Sequence, residues 1–87
     1  MVKLSGYNLP LSERILISLH NLCATSNQMA VISDELARIL QVDVNEVNQN
    51  LDRFISEGYI SAYNDNEGKR RFYLTSTGII RVCSLFS

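Results

Sequence analysis

Residues 33–78 read SDELARILQVDVNEVNQNLDRFISEGYISAYNDNEGKRRFYLTSTG, and a change of hydrophobic period inside this stretch decides the fold. Ser33 is a candidate N-cap, with Asp34 and Glu35 placed where acidic groups favour a helix start. Leu36, Ile39 and Leu40 supply a buried face, and this helix stops near Gln41. Asp43 opens the next helix and stands with Glu46 at capping-box spacing. Val44, Val47, Leu51, Phe54 and Ile55 recur at three- and four-residue intervals, the period of an amphipathic helix. Gly58 sits where a left-handed C-cap would end it. Two helices joined by a turn of about three residues have the spacing of a helix-turn-helix.

Beyond Gly58 the period falls to two. Ile60 and Ala62 alternate with Ser61 and Tyr63; Phe72 and Leu74 alternate with Arg71 and Tyr73. The turn formers Asn64-Asp65-Asn66-Glu67-Gly68 lie between them, so the segment reads as a β-hairpin. Thr75 then caps a last helix whose face carries Ile79, Val82, Cys83 and Phe86, widened by Ile80 and Leu85.

Upstream, Pro10 precedes a helical pattern from about Ser12 to Cys23. Ile15, Leu19 and Leu22 form one face, and Leu16, Ile17 and Cys23 widen it, leaving a narrow polar stripe of Arg14, Ser18 and Asn21. So broad an apolar arc suits either a central helix surrounded by the others or the seam of a dimer. Met29-Ala30-Val31-Ile32 fits a brief strand.

Helix, short strand, helix, turn, helix, hairpin and final helix is the order of a winged helix-turn-helix domain of the α+β class. The stretch resembles the winged helix regulators of the MarR and PadR type over more than half of the chain. SDELA resembles the second helix of those proteins. VNQNLDRFISEGYI resembles the end of their recognition helix and the entry to the wing, and DNEGKRRFYLTSTG the wing with its Leu-Thr-x-x-Gly exit. The expected organisation is a single domain over 1–87, with the helix-turn-helix at about 33–58, the wing at about 59–74 and the C-terminal helix at about 75–86.

The resemblance implies a third helix laid in the major groove and a wing reaching the backbone or minor groove beside it. Removing the positions that the periodicity buries leaves Asn45, Asn48, Gln49, Asp52 and Arg53. Asn and Gln can pair bidentately with adenine and Arg with guanine, so Asn45, Asn48, Gln49 and Arg53 are the candidate base contacts. The alternative is a merely solvated helix face. Lys69, Arg70 and Arg71 form the one concentrated basic patch and are candidate phosphate contacts. Charges that keep a hairpin edge soluble would look the same.

Charge argues for restraint. The net charge is -1, whereas a dedicated nucleic-acid binder usually shows a basic surplus. Residues 43–58 hold Asp43, Glu46, Asp52 and Glu57 against Arg53 alone. Capping accounts for the first two. Asp52 lies close to the reading surface, where it would repel phosphate unless Arg53 or a cytosine amino group offsets it.

Other classes are poorly served. A lone histidine, His20, on an apolar helix is usually structural, and no nucleophile–base pair or Gly-rich phosphate loop stands out. An enzyme is therefore not expected. Two cysteines and one histidine cannot build a zinc site of ordinary spacing, so no metal or cofactor is expected. Cys23 and Cys83 read as reduced, buried small hydrophobes, or as a disulfide in an oxidising setting. No apolar run approaches the roughly 18 residues of a membrane span. The opening Met1-Val2-Lys3-Leu4-Ser5-Gly6 has no signal-peptide core, so the expected location is cytoplasmic.

The expectation is a homodimeric, DNA-binding transcriptional regulator. Leu16, Ile17, Ile80, Leu85 and Phe86 are the candidate dimer contacts, because a chain of 87 residues has a thin core of its own. The partners are double-stranded DNA and a second copy of the chain, with no membrane; an effector ligand is left open. The competing reading, from another class, is a winged helix protein-interaction module in a larger assembly, without DNA binding.

Overall fold

Chain order and element type follow the periods of the sequence. The computed structural model describes residues 9–85; the candidate seam residue Phe86 lies outside them. Helix α1 (Leu11–Asn21) leads through a single 3-10 turn (Asn27–Met29) into strand β1 (Val31–Ile32). Helices α2 (Ser33–Leu40) and α3 (Val44–Glu57) follow, then strands β2 (Ile60–Asn64) and β3 (Arg70–Leu74) and helix α4 (Ser76–Leu85). The brief strand is thus half as long as the apolar run suggested, because Met29 closes a turn whose N–H donates to the Ser26 carbonyl.

The helix ends show which local signals act. Asp43 caps α3 as expected, but its carboxylate accepts from the Asn45 N–H at 2.7 Å, not from Glu46. Gly58 closes α3 with φ +85°, a left-handed conformation that costs glycine no Cβ clash. Thr75 caps α4: its hydroxyl accepts from the Gly78 N–H at 3.1 Å and donates to the Gly58 carbonyl at 2.6 Å. One side chain therefore joins the end of α3 to the start of α4. Ser33 departs from its expected role. It is already the first helical residue of α2, Ile32 holds the cap position, and no side chain caps that end.

The sheet is antiparallel in the order β1-β3-β2. Ile60 faces Leu74, Ala62 faces Phe72, and Val31 faces Phe72 from the other side. Ile60, Phe72 and Leu74 turn to the helices and are buried, which is the alternation of a sheet with one covered face. The hairpin tip runs from Asp65 to Lys69, with the Asp65 N–H donating to the Lys69 carbonyl at 2.8 Å.

Ile15, Leu16, Leu19, Leu36, Val47, Leu51, Leu74 and Val82 are fully buried in one core. Each such side chain contributes about 1.5–3 kcal/mol by leaving water. The core draws on every helix and on β3, with α1 packed against α2, α3, α4 and β3. The broad arc of α1 is therefore that of a central helix. Leu16 has no exposed surface, which corrects its expected role at a dimer seam; Ile17 stays half-buried. Ile39 is corrected in the other direction, being 42% exposed. Leu36 is buried as expected and Leu40 packs partly buried against the core, with Ala37 taking the buried place expected of Ile39. Cys23 and Cys83 both lie at exposed positions, contrary to the expected burial. Cys23 falls past the end of α1 with φ +58°, and Cys83 is on the outer side of α4, whose buried positions are Gly78 and Val82.

Among the described residues, no helix is long and apolar enough to cross a membrane.

Candidate nucleic-acid interface

Burial of Val47, Leu51 and Phe54 fixes the rotation of α3. The opposite side then carries Asn45, Gln49, Asp52 and Ser56, spaced by three and four residues and all exposed. Ser56 belongs to this row and was missed in the sequence reading, although its spacing from Asp52 marks it. Asn48 sits on the flank nearer the wing and is half-buried.

Arg53 lies on the other flank. Its guanidinium stands 5.2 Å from the centre of the Phe54 ring and lines a crevice with Glu13, Glu57, Tyr59 and Arg81. The structure therefore separates Arg53 from Asn48. Of the two groups that could offset Asp52, Arg53 or a cytosine amino group, Arg53 is turned instead to Phe54.

The counter-ion of Asp52 is Arg70. Its Nη1 donates to Asp52 Oδ1 at 3.3 Å, and its guanidinium lies 5.3 Å from the centre of the Phe72 ring. The pair joins the first residue of β3 to the middle of α3. Both partners are more than half exposed, so the pair is worth about 0–1 kcal/mol. The ring contact at an exposed site adds roughly 0.5–1 kcal/mol. Contacts this weak orient Arg70 without committing it, and a phosphate can displace them.

Arg71, the third member of the basic patch, is bound up in the fold. Its Nε donates to Asp65 Oδ2 at 2.7 Å and its Nη1 to the Ala30 carbonyl at 3.2 Å. Asp65 Oδ1 meanwhile accepts the N–H groups of Glu67 and Lys69, both at 2.9 Å. The Asp65 carboxyl is held below the usual carboxylate range, first by the Arg71 hydrogen bond and then by the Lys69 N–H. The same pairing raises the Arg71 guanidinium above its ordinary value. Tyr63, across the ladder from Arg71, donates its hydroxyl to the Asn27 carbonyl at 2.8 Å. Two long side chains thus moor the wing to the segment before α2.

An open groove of about 460 Å³ lies between α2, α3 and the wing. Asn48 and Asp52 line it from α3, Lys69 and Arg70 from the wing, and Ser33 and Asp34 from the start of α2. The sequence reading missed the α2 contribution, which only the packing of α2 against α3 brings into place. Two cations face two carboxylates here. Among the described residues, no cluster of three or more His, Cys, Asp or Glu side chains could hold a metal ion.

No protein-family model and no curated protein matches the sequence. Solved structures do match. A mutant of MarR from E. coli, complexed with operator DNA, superposes with a TM-score of 0.71 at 22% identity, covering 85% of this chain and 50% of that one. The chain thus spans about half the length of the MarR chains it matches. TubR from Bacillus megaterium pBM400 matches with a TM-score of 0.77 at 17% identity, over 93% of this chain and 90% of its own. A putative DNA-binding protein from Ralstonia eutropha gives 0.76 at 16% identity, over 91% and 98%. Three helices, a short strand and a β-hairpin wing, in the order and arrangement of these proteins, give this chain the winged helix-turn-helix fold.

Proposed function

We propose that the chain is a duplex-DNA-binding transcriptional regulator acting as a homodimer, with α3 in the major groove and the wing on the adjoining backbone. The observation that carries this reading is the shared opening of the α3 face and the wing cations onto one groove, Asn48 and Asp52 opposite Lys69 and Arg70. An α-helix fits the major groove of B-DNA. Asn45, Asn48 and Gln49 are the proposed base contacts, with Arg53 restricted to whatever lies beyond the far flank of α3. Lys69 and Arg70 are the proposed phosphate contacts. Arg71 serves mainly to hold the wing in shape. The MarR match complexed with operator DNA supports the same use of the fold.

The proposed seam combines α1 and α4. Ile80 is 68% exposed, and Ile17 on α1 and Ile79 and Leu85 on α4 are half-buried, so these helices keep apolar surface for a partner. A two-fold dimer would set its recognition helices about 34 Å apart on one face of the duplex and favour palindromic sites.

Fluorescence anisotropy with random-sequence duplex, taken at low salt and then at rising salt, tests the reading. Binding that weakens steeply with salt supports it. No binding to any duplex at low salt overturns it in favour of the protein-interaction module.

A further inference from the structure

We infer that Asp52 is a specificity-determining residue that selects a cytosine amino group in the major groove, and that Arg70 is its positioning partner. The inference rests on the duplex-binding reading above and deepens it.

Asp52 follows Asn45 by seven residues and Gln49 by three, which puts it in the same outward row of α3. Its side chain is 65% exposed and lines the groove shared with the wing. An ionised carboxylate can only accept hydrogen bonds. Among major-groove edges, guanine N7 and O6, adenine N7 and thymine O4 are also acceptors and repel it, whereas the cytosine N4 amino group donates. Adenine N6 donates too, but its neighbouring N7 faces the second carboxylate oxygen. Cytosine is the base that suits this side chain.

The Arg70 contact makes the choice conditional. In the free protein Arg70 neutralises Asp52 at 3.3 Å, and the neighbouring Arg53 is turned instead to Phe54. When Arg70 moves to a phosphate, Asp52 loses its counter-ion. On a site with cytosine at that position, the amino group takes over and both contacts form. On any other site, either Arg70 stays on Asp52 and the phosphate contact is lost, or an unpaired carboxylate faces the groove. Base reading by α3 and backbone binding by the wing are thereby coupled through one ion pair. This gives a role to an acidic residue that otherwise only weakens DNA binding.

The test is selection of duplexes from a random-sequence pool by the wild-type chain. Affinities for the selected and the unselected duplexes are then measured for wild type, D52N and D52A. Both variants alter an exposed side chain outside the core, and thermal melts verify that they fold. The expected selected sites carry a fixed C·G pair in each half-site. D52N and D52A should bind unselected duplex roughly three- to tenfold more tightly, and the ratio of selected to unselected affinity should fall by about fivefold or more. Their salt dependence on unselected duplex, where wild-type Arg70 stays on Asp52, should steepen by about 0.9 in log–log slope for each Arg70 released to phosphate. Selected sites without a fixed C·G pair, or an affinity ratio unchanged in both variants, overturn the inference while leaving duplex binding intact. A wild-type chain that binds no duplex overturns the duplex reading itself, and this inference with it.

Discussion

Arg71 Nε donates to Asp65 Oδ2 at 2.7 Å while the same guanidinium reaches the Ala30 carbonyl at 3.2 Å, so a single side chain ties the tip of the wing to the chain entering β1. The wing is consequently built before any ligand arrives. Its rigidity rests on a charge that acid can remove.

The first expected outcome concerns pH. The folded-state pKa of Asp65 lies below its ordinary value. Its contribution to stability is therefore fully present above the unfolded value of about 4 and is lost as pH falls through the depressed folded value. Asp65→Asn should melt below wild type near neutral pH, and the gap should close in acid. Circular dichroism melts across the acid range check this, and a gap that persists undiminished to roughly pH 2 contradicts it.

The three wing cations should separate by role. Lys69→Ala alters an exposed side chain; it should leave the melting temperature unchanged and flatten the log–log salt dependence of DNA binding by about 0.9 per subunit. Arg71→Ala should lower the melting temperature, because Asp65 and the Ala30 carbonyl lose their partner. Equal effects of the two substitutions on stability would remove the distinction drawn between them.

Two substitutions probe the joint between α3, the sheet and α4. A Cβ on Gly78 would collide with the Tyr59 carbonyl and crowd Leu74 Cδ2 at 3.0 Å. Gly78→Ala should therefore destabilise by roughly 1–3 kcal/mol, the usual range for overpacking. Thr75→Ala removes the cap and the bond to Gly58, at a cost of about 1 kcal/mol. Urea denaturation measures both, and a stable Gly78→Ala would mean that α4 can shift away from Tyr59.

Much of this fold is legible in the sequence because its signals are local. The caps at Asp43, Gly58 and Thr75 depend on neighbours within a few residues, and the period of Val47, Leu51 and Phe54 fixes the buried face of α3. What the sequence conceals is long-range. Asp65 lies six residues from Arg71 across the hairpin turn, but nothing near Arg71 announces its bond to the Ala30 carbonyl, 41 residues away, because that depends on β3 pairing with β1. The Asp52–Arg70 pair spans 18 residues and needs both the wing and α3 in place. Leu16 and Cys83 mislead for the same reason: a helical wheel shows which residues are apolar, but not which side the remaining helices will cover. Arg53, by contrast, stands five residues from Asn48, about 140° around the helix, a separation that the helical period already implies.

The seam predicts a change of mass. Ile80→Glu places a charge on the most exposed large apolar side chain of α4 and should convert a dimer to a monomer in light scattering. Its duplex affinity should fall with the mass. Leu16→Ala, in contrast, should act through stability, losing roughly 2–5 kcal/mol as a buried truncation. An Ile80→Glu protein of unchanged mass would move the interface elsewhere.

A salt titration of duplex binding decides whether the groove between α3 and the wing is a DNA surface. On a selected site, where Lys69 and Arg70 of each subunit displace counter-ions, log affinity against log salt should fall with a slope of about -4 for the dimer. Binding that is absent at low salt, or that does not change as salt rises, would contradict the account.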